Sequence, residues 1–245
     1  MNKYKGILIS KKILKENDLI IKILSNSDKI ISGIVYGGLS KKKRTIYQIG
    51  YFLNFEVLEK NNRPLSINAE IIPPHISLII NDKYKLNCLL CVTSIINLAI
   101  IEGQHVNDIY FIVENFLNKM FVKKKWLIDF HIFLFDLLKV IGYEINYTNN
   151  DHNIYFDLNK LEFVKVKSND SVKFPFHLFK EDYSDRLMCK ILQDLPKSCK
   201  TITLVSAHGV GDSLNSKEVA IKVMNDWYLK DVYRVKNEQE KMLNT

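Results

Sequence analysis

The chain has 245 residues, a hydrophobic content of 47% and a formal charge of +8, enough apolar material for one large domain or two small ones. The longest apolar stretch, Leu86 to Ile101, is interrupted by Asn87 and Thr93-Ser94, so no run reaches the ~18–20 residues needed to cross a bilayer. Met1 to Gly6 leads into an alternating segment and not into the apolar core of a signal peptide, so a soluble cytoplasmic protein with no membrane role is expected.

Residues 2–71 read as five strands. Tyr4 to Ser10 alternates, and Leu19–Leu24 is a β-branched run after the turn residues Glu16-Asn17-Asp18. Lys29–Tyr36 follows Ser25-Asn26-Ser27-Asp28. Gly50–Glu59 carries Tyr51, Leu53, Phe55 and Val57 in alternation, and Leu65–Ile71 returns from the turn Asn61-Asn62-Arg63-Pro64. Five short strands in this length suggest a small closed barrel. The OB-fold leads because it is five-stranded and often binds single-stranded nucleic acid; an SH3-like barrel gives a similar pattern.

Pro73-Pro74 closes the strand region, and helical periodicity takes over. After a short piece at Leu78–Asn81, Asp82 can cap a long helix through Glu102, ended by Gly103. Asn107 or Asp108 can cap a second, whose stripe is Ile109, Ile112, Val113, Phe116, Leu117 and Met120. Lys123-Lys124-Lys125 is a basic connection, and Trp126–Ile141 is a third amphipathic helix. Residues 143–173 change character: Asn153–Leu158 and Leu161–Lys167 read as an inserted β-hairpin. Tyr183–Leu195, Thr201–His208 and Ser216–Leu229 are further helices, before a polar C-terminal stretch expected to fray. The fold class is therefore α+β: an OB-type barrel over 1–74, then a helical domain over 75–245 with the hairpin inserted.

Catalytic and metal chemistry find no support. The six histidines do not pair with one another, with cysteines or with acids at ligand spacing. Cys88 and Cys91 form a CxxC inside the first long helix, where they share one face and serve as small apolar residues. Gly37-Gly38 lacks the spacing of a phosphate-binding loop, and Ser206-Ala207-His208 has no strand-turn-helix elbow around it. No catalytic residue, metal or cofactor is expected.

Binding chemistry is better supported. Residues 1–80 hold thirteen Lys/Arg against six Asp/Glu, whereas the remainder is nearly balanced. Thirty-one of the 35 cations are Lys, which suggests a codon bias, but such a bias would raise Lys throughout and not in one third. A basic excess confined this way points to a polyanion. Its focus is Gly37-Gly38-Leu39-Ser40-Lys41-Lys42-Lys43-Arg44, a glycine break followed by four cations. Self-repulsion is expected to keep that loop extended and mobile until a phosphate backbone relieves it. Lys11, Lys12 and Lys15 follow the first strand, Lys22 lies on the second, and Arg63 sits at the hairpin turn. Tyr36 and Tyr47 flank the basic loop and can stack on a base if exposed; Phe55 and Tyr51 are expected in the core.

These segments together resemble the RecO family of bacterial recombination mediators. Tyr4 to Ser10 followed by Glu16-Asn17-Asp18 looks like the family's opening strand and its acidic turn, with Asn for the usual small residue. Gly37 to Arg44 looks like its glycine-plus-basic loop. Gln48-Ile49-Gly50 is similar to its Q-P-G segment without the proline, and Leu134 to Tyr143 to the helix ending in L-G-Y/F. The last helices, with Ser216 entering one, look like its C-terminal segment.

The resemblance implies an N-terminal OB-fold on a helical body, in a bacterial, nucleoid-associated protein. It implies binding of single- and double-stranded DNA and annealing of complementary strands. It also implies work with RecR to load RecA, an indirect partner, onto DNA coated by single-strand-binding protein, whose acidic C-terminal tail the helical body would hold. Many members carry a cysteine zinc site after the "GY" helix end; residues 144–167 contain no cysteine, so the insertion is expected to be metal-free. An RNA-binding module with a helical appendage and a protein-interaction scaffold are the alternatives.

Overall fold

The structure is a computed structural model that describes residues 3–14, 16–59, 64–73, 75–124, 126–142, 155–157, 162–168 and 171–173. The chain divides into two compact units, Met1–Lys123 and Lys124–Thr245.

The first unit is built on five strands: β1 (Lys3–Ile13), β2 (Leu19–Ser25), β3 (Lys29–Val35), β4 (Phe52–Leu58) and β5 (Ser66–Ile71). They close into a barrel of order β1-β2-β3-β5-β4, with β1 pairing both β2 and β4. The β3–β5 seam is parallel and short, with Ile34 opposite Ser66. This is the OB-type barrel expected from the alternation. Its core gathers Leu8, Leu19, Ile21, Ile23, Val35, Tyr47, Leu53, Phe55 and Ile67. Burying each such side chain stabilises the fold by roughly 1.5–3 kcal/mol before chain entropy is subtracted. A bulge between Leu8 and Ser10 shifts the phase of β1, so Ile7, Leu8 and Ile9 are all buried while Lys12 and Ile13 are exposed.

After a 3-10 turn at His75–Leu78, α1 (Lys83–Ala99) lies against β1. Asp82 caps it as expected, accepting the Tyr84 and Lys85 N–H groups at 3.1 Å. Cys88 and Cys91 are buried on α1 without a disulfide. Gly50 permits the close approach of α1: its φ is +84°, and a Cβ there would lie 2.5 Å from Leu89 Cδ2. The helix ends at Ala99, short of Glu102. Gly103 then turns the chain onto the barrel, donating its N–H to Ile30 O at 3.0 Å.

The second helix, α2 (Ile109–Val122), contributes Phe121, whose ring meets Phe52 edge-on at 6.4 Å. Asp108 stands at its N-terminus, but its side chain makes no capping bond. The cap comes from the β2–β3 turn: Asp28 accepts the Tyr110 N–H at 2.9 Å and the Asp108 N–H at 3.3 Å.

In the second unit, α3 (Leu127–Val140) follows Trp126, and the rings of Trp126, Phe130 and Phe133 contact in sequence. The inserted hairpin is larger than expected. β6 (Tyr155–Asp157) and β7 (Glu162–Val164) pair antiparallel, and β8 (Ser171–Lys173) adds on the other side of β6. The three helices expected beyond residue 183 lie outside the described residues.

Candidate nucleic-acid interface

One end of the barrel collects the basic loop. The end of β1, the start of β2 and the end of β3 meet there, with Ile13 opposite Leu19 and Leu19 opposite Val35. The 37–46 segment is neither extended nor loose. It runs in successive turns, with Arg44 N–H donating to Ser40 O at 3.0 Å and Ile46 N–H to Lys43 O at 2.9 Å. Backbone bonds therefore outweigh the repulsion among four cations, which water and salt screen. Gly37, at φ +64°, supplies the left-handed residue that starts the turn.

Two side chains and one backbone carbonyl fasten this segment. Asp18 Oδ1 accepts the Gly37 N–H at 2.8 Å, and Leu39 N–H reaches Asn17 O at 3.1 Å. Gln48 links both sides: its Oε1 accepts from Lys11 Nζ at 2.7 Å, and its Nε2 donates to Arg44 O at 2.6 Å. Asp18 and Gln48 belong to the motif segments of the resemblance, where neither residue type by itself marks a binding role. Nothing in their local spacing showed which loop they would hold.

The predicted cations separate into two kinds. Lys41, Lys42, Arg44 and Lys12 are exposed. Lys43 Nζ donates to Tyr36 O at 2.8 Å, and Lys11 Nζ to Tyr47 O at 3.0 Å as well as to Gln48. Burial pushes the Lys11 ammonium below its usual pKa. Lys22 is away from this end, 3.7 Å from the Glu102 carboxylate. Lys5 pairs with Glu114 at 2.8 Å. Lys5 and Lys22 thus each face a carboxylate, whereas Lys41, Lys42 and Arg44 form no ion pair among the described residues. Glu16, exposed in the β1–β2 turn, is a local counter-charge. Lys15 and Arg63 lie outside the described residues.

The two aromatic candidates also separate. Tyr36 is 50% exposed. It borders a cleft of about 290 Å³ at the β3–β5 seam, with Ile34, Leu58, Pro64 and Ile67 as apolar lining and Lys43 beside it. Tyr47 is 2% exposed and belongs to the barrel core, with its hydroxyl accepting the Ala69 N–H at 3.2 Å. A ring enclosed this way has no face for a base, so Tyr47 is a structural residue. Phe55 is buried and Tyr51 half-buried. Among the described residues no cluster of three or more His, Cys, Asp or Glu could hold a metal ion, and no helix is long and apolar enough to cross a membrane.

Comparison with known proteins gives a consistent set of relatives. The chain is 28% identical over 142 residues to a DNA repair protein RecO of Rickettsia canadensis, covering 58% of each chain. It is 29% identical over 144 residues to that of Rickettsia bellii, covering 58% of this chain and 59% of the relative. It is 32% identical over 149 residues to that of Orientia tsutsugamushi, with the same coverage. The matches span about 58–60% of the length of these curated relatives. No family model matches the chain.

Proposed function

We propose that the chain is a RecO-family protein, as its similarity to the DNA repair proteins RecO of Rickettsia and Orientia supports, and that it acts in DNA repair as a recombination mediator. In this reading the barrel, residues 1–74, binds single- and double-stranded DNA. The helical remainder, 75–245, holds partner proteins: RecR and the acidic tail of single-strand-binding protein. Two DNA backbones held against one basic surface repel each other less, so complementary strands pair. With RecR, the protein then helps RecA replace single-strand-binding protein on the strand. No covalent bond changes, so the work needs no catalytic residue.

The observation that carries this proposal is the cluster of exposed cations, Lys12, Lys41, Lys42 and Arg44, fixed at one barrel end beside the exposed ring of Tyr36. Phosphates would sit on the cations, and an unstacked base would lie against Tyr36 in the seam cleft.

The test is a salt titration of labelled single-stranded DNA binding to the whole chain, read by anisotropy. Sequence-independent binding that weakens steeply with salt is expected, followed by faster annealing of complementary strands. Absence of binding at low salt overturns the reading and returns the basic end to a protein-contact role. A marked preference for RNA of equal sequence overturns the choice of DNA.

A further inference from the structure

Two aliphatic side chains stand uncovered beside the basic segment. Ile13 is 70% exposed and Leu14 39% exposed. They close β1 and open the β1–β2 turn, which is pinned by Leu14 N–H donating to Asp18 O at 2.9 Å. The residue opposite Ile13 fares differently. Leu19 is buried, with Gly38 so close that a Cβ there would come within 2.8 Å of Leu19 Cδ1. The basic segment thus folds over Leu19 and leaves Ile13 outside.

We propose that this tip is an apolar wedge that enters between neighbouring bases of single-stranded DNA and unstacks them. The proposal rests on the DNA-binding reading above and adds a distinct physical step to it. A lone exposed apolar residue needs no explanation; the surroundings of this one do. Lys12 adjoins it in sequence. The bonds from Gly37 to Asp18 and from Leu39 to Asn17 hold its turn to the segment that carries Lys41, Lys42 and Arg44. Glu16 is the opposing exposed charge in the same turn.

An aliphatic tip next to Lys12 and tied to a cation-bearing segment complements a ligand with anionic edges and flat apolar faces, which is what a stacked single strand offers. Aliphatic side chains driven between base steps are an established means of unstacking, and a β-branched Ile loses little rotamer freedom on insertion. The cations would hold the backbone while the wedge separates two bases. Their pairing edges would then be open to a complementary strand.

The experiment places 2-aminopurine, whose fluorescence is quenched by stacking, within a single-stranded oligonucleotide and adds the whole chain. Wild type is expected to raise the fluorescence on binding. Ile13→Ser with Leu14→Ser is expected to bind with the same salt dependence and to lose most of that rise, with affinity reduced by about tenfold or less. Ile13→Phe should retain the rise. Ile101→Ser, at a 66% exposed site following α1, should leave it unchanged. Bound DNA without a rise in wild type, or a full rise in the serine variant, overturns the wedge while the DNA-binding reading stands. An equal loss in Ile101→Ser also overturns it, since position would not matter. If wild type does not bind the oligonucleotide, the interface reading itself fails and the wedge falls with it.

Discussion

Asp18 and Gly37, nineteen residues apart, are joined by a 2.8 Å hydrogen bond from the Gly37 N–H to the Asp18 carboxylate. A residue of the β1–β2 turn thereby fixes the start of the basic segment. A bond to a charged acceptor stabilises more than a neutral one, and at a partly buried site its loss costs about 1–2 kcal/mol. Asp18→Ala should lower stability by that amount in urea and speed exchange of the Gly37 amide. It also removes a negative charge from the basic end, which by itself favours polyanion binding. If the fixed conformation of the loop matters more than this charge, Asp18→Ala weakens DNA binding while Asp18→Asn, which keeps an acceptor, does not. Equal strengthening in both variants would show that only charge counts.

The division of cations into exposed and internally bonded gives a second expectation. Lys41, Lys42 and Arg44 are exposed, whereas Lys11 and Lys43 donate to carbonyl groups of their own chain. Replacing the three exposed residues with Ala should flatten the log–log salt dependence of single-strand binding by about 2, at ~0.7 per phosphate contact. Lys43→Ala should leave that slope nearly unchanged and instead loosen the loop, visible as faster amide exchange near Tyr36. Equal flattening by Lys43→Ala would mean that its ammonium leaves the Tyr36 carbonyl for the ligand.

What was legible in the sequence was what is local. Period-2 alternation and polar turns marked the five barrel strands, and a 3.6-residue stripe marked α1, α2 and α3. Asp82 was readable as a cap because its acceptor serves N–H groups two and three residues on. Non-local pairing was not readable. Tyr47 lies in a turn segment without periodicity, so nothing announced that it would enter the core and meet Ala69. Lys22 looked like a DNA ligand because Glu102, its partner, is eighty residues away. β8 is three residues long, too short to show any period, so the hairpin gained a strand the pattern did not show. The basic segment was legible as charge but not as shape, because its fastening by Asp18 and Gln48 depends on barrel closure.

The cap on α2 is a further consequence of non-local pairing, and it can be tested. Asp28 has φ +57° and accepts two N–H groups at the start of a helix eighty residues later. Asp28→Ala loses the cap and places Ala in the left-handed region, so about 2 kcal/mol or more of stability should be lost. Asp28→Asn tolerates that backbone and retains an acceptor, and should cost less. Asp108→Asn should change little, since the Asp108 side chain makes no capping bond. Equal losses at 28 and 108 in the Asn variants, followed by urea unfolding, would place the cap in the helix's own sequence after all.

Alkaline pH offers the last test, because two phenols are held above the ordinary tyrosine pKa of 10.0. Burial raises Tyr47, opposed in part by the Ala69 N–H it accepts. Burial also raises Tyr110, and the Glu114 carboxylate adds to the shift by its charge and by accepting the phenol proton at 3.1 Å. In the unfolded chain both phenols lose their protons near pH 10, while the folded chain still holds them. The unfolded state then binds fewer protons, and stability falls as pH rises from about 10. Lys11 acts in the opposite sense. Its folded pKa lies below 10.5, so between the two values the folded state has already lost a proton that the unfolded state retains, and stability rises there. Urea midpoints measured from pH 8 upward should therefore decline above pH 10. Tyr110→Phe should flatten the decline more than Tyr47→Phe, because every influence on Tyr110 acts in one direction. A decline of the same steepness in both variants as in wild type would mean that neither phenol is held neutral by the fold.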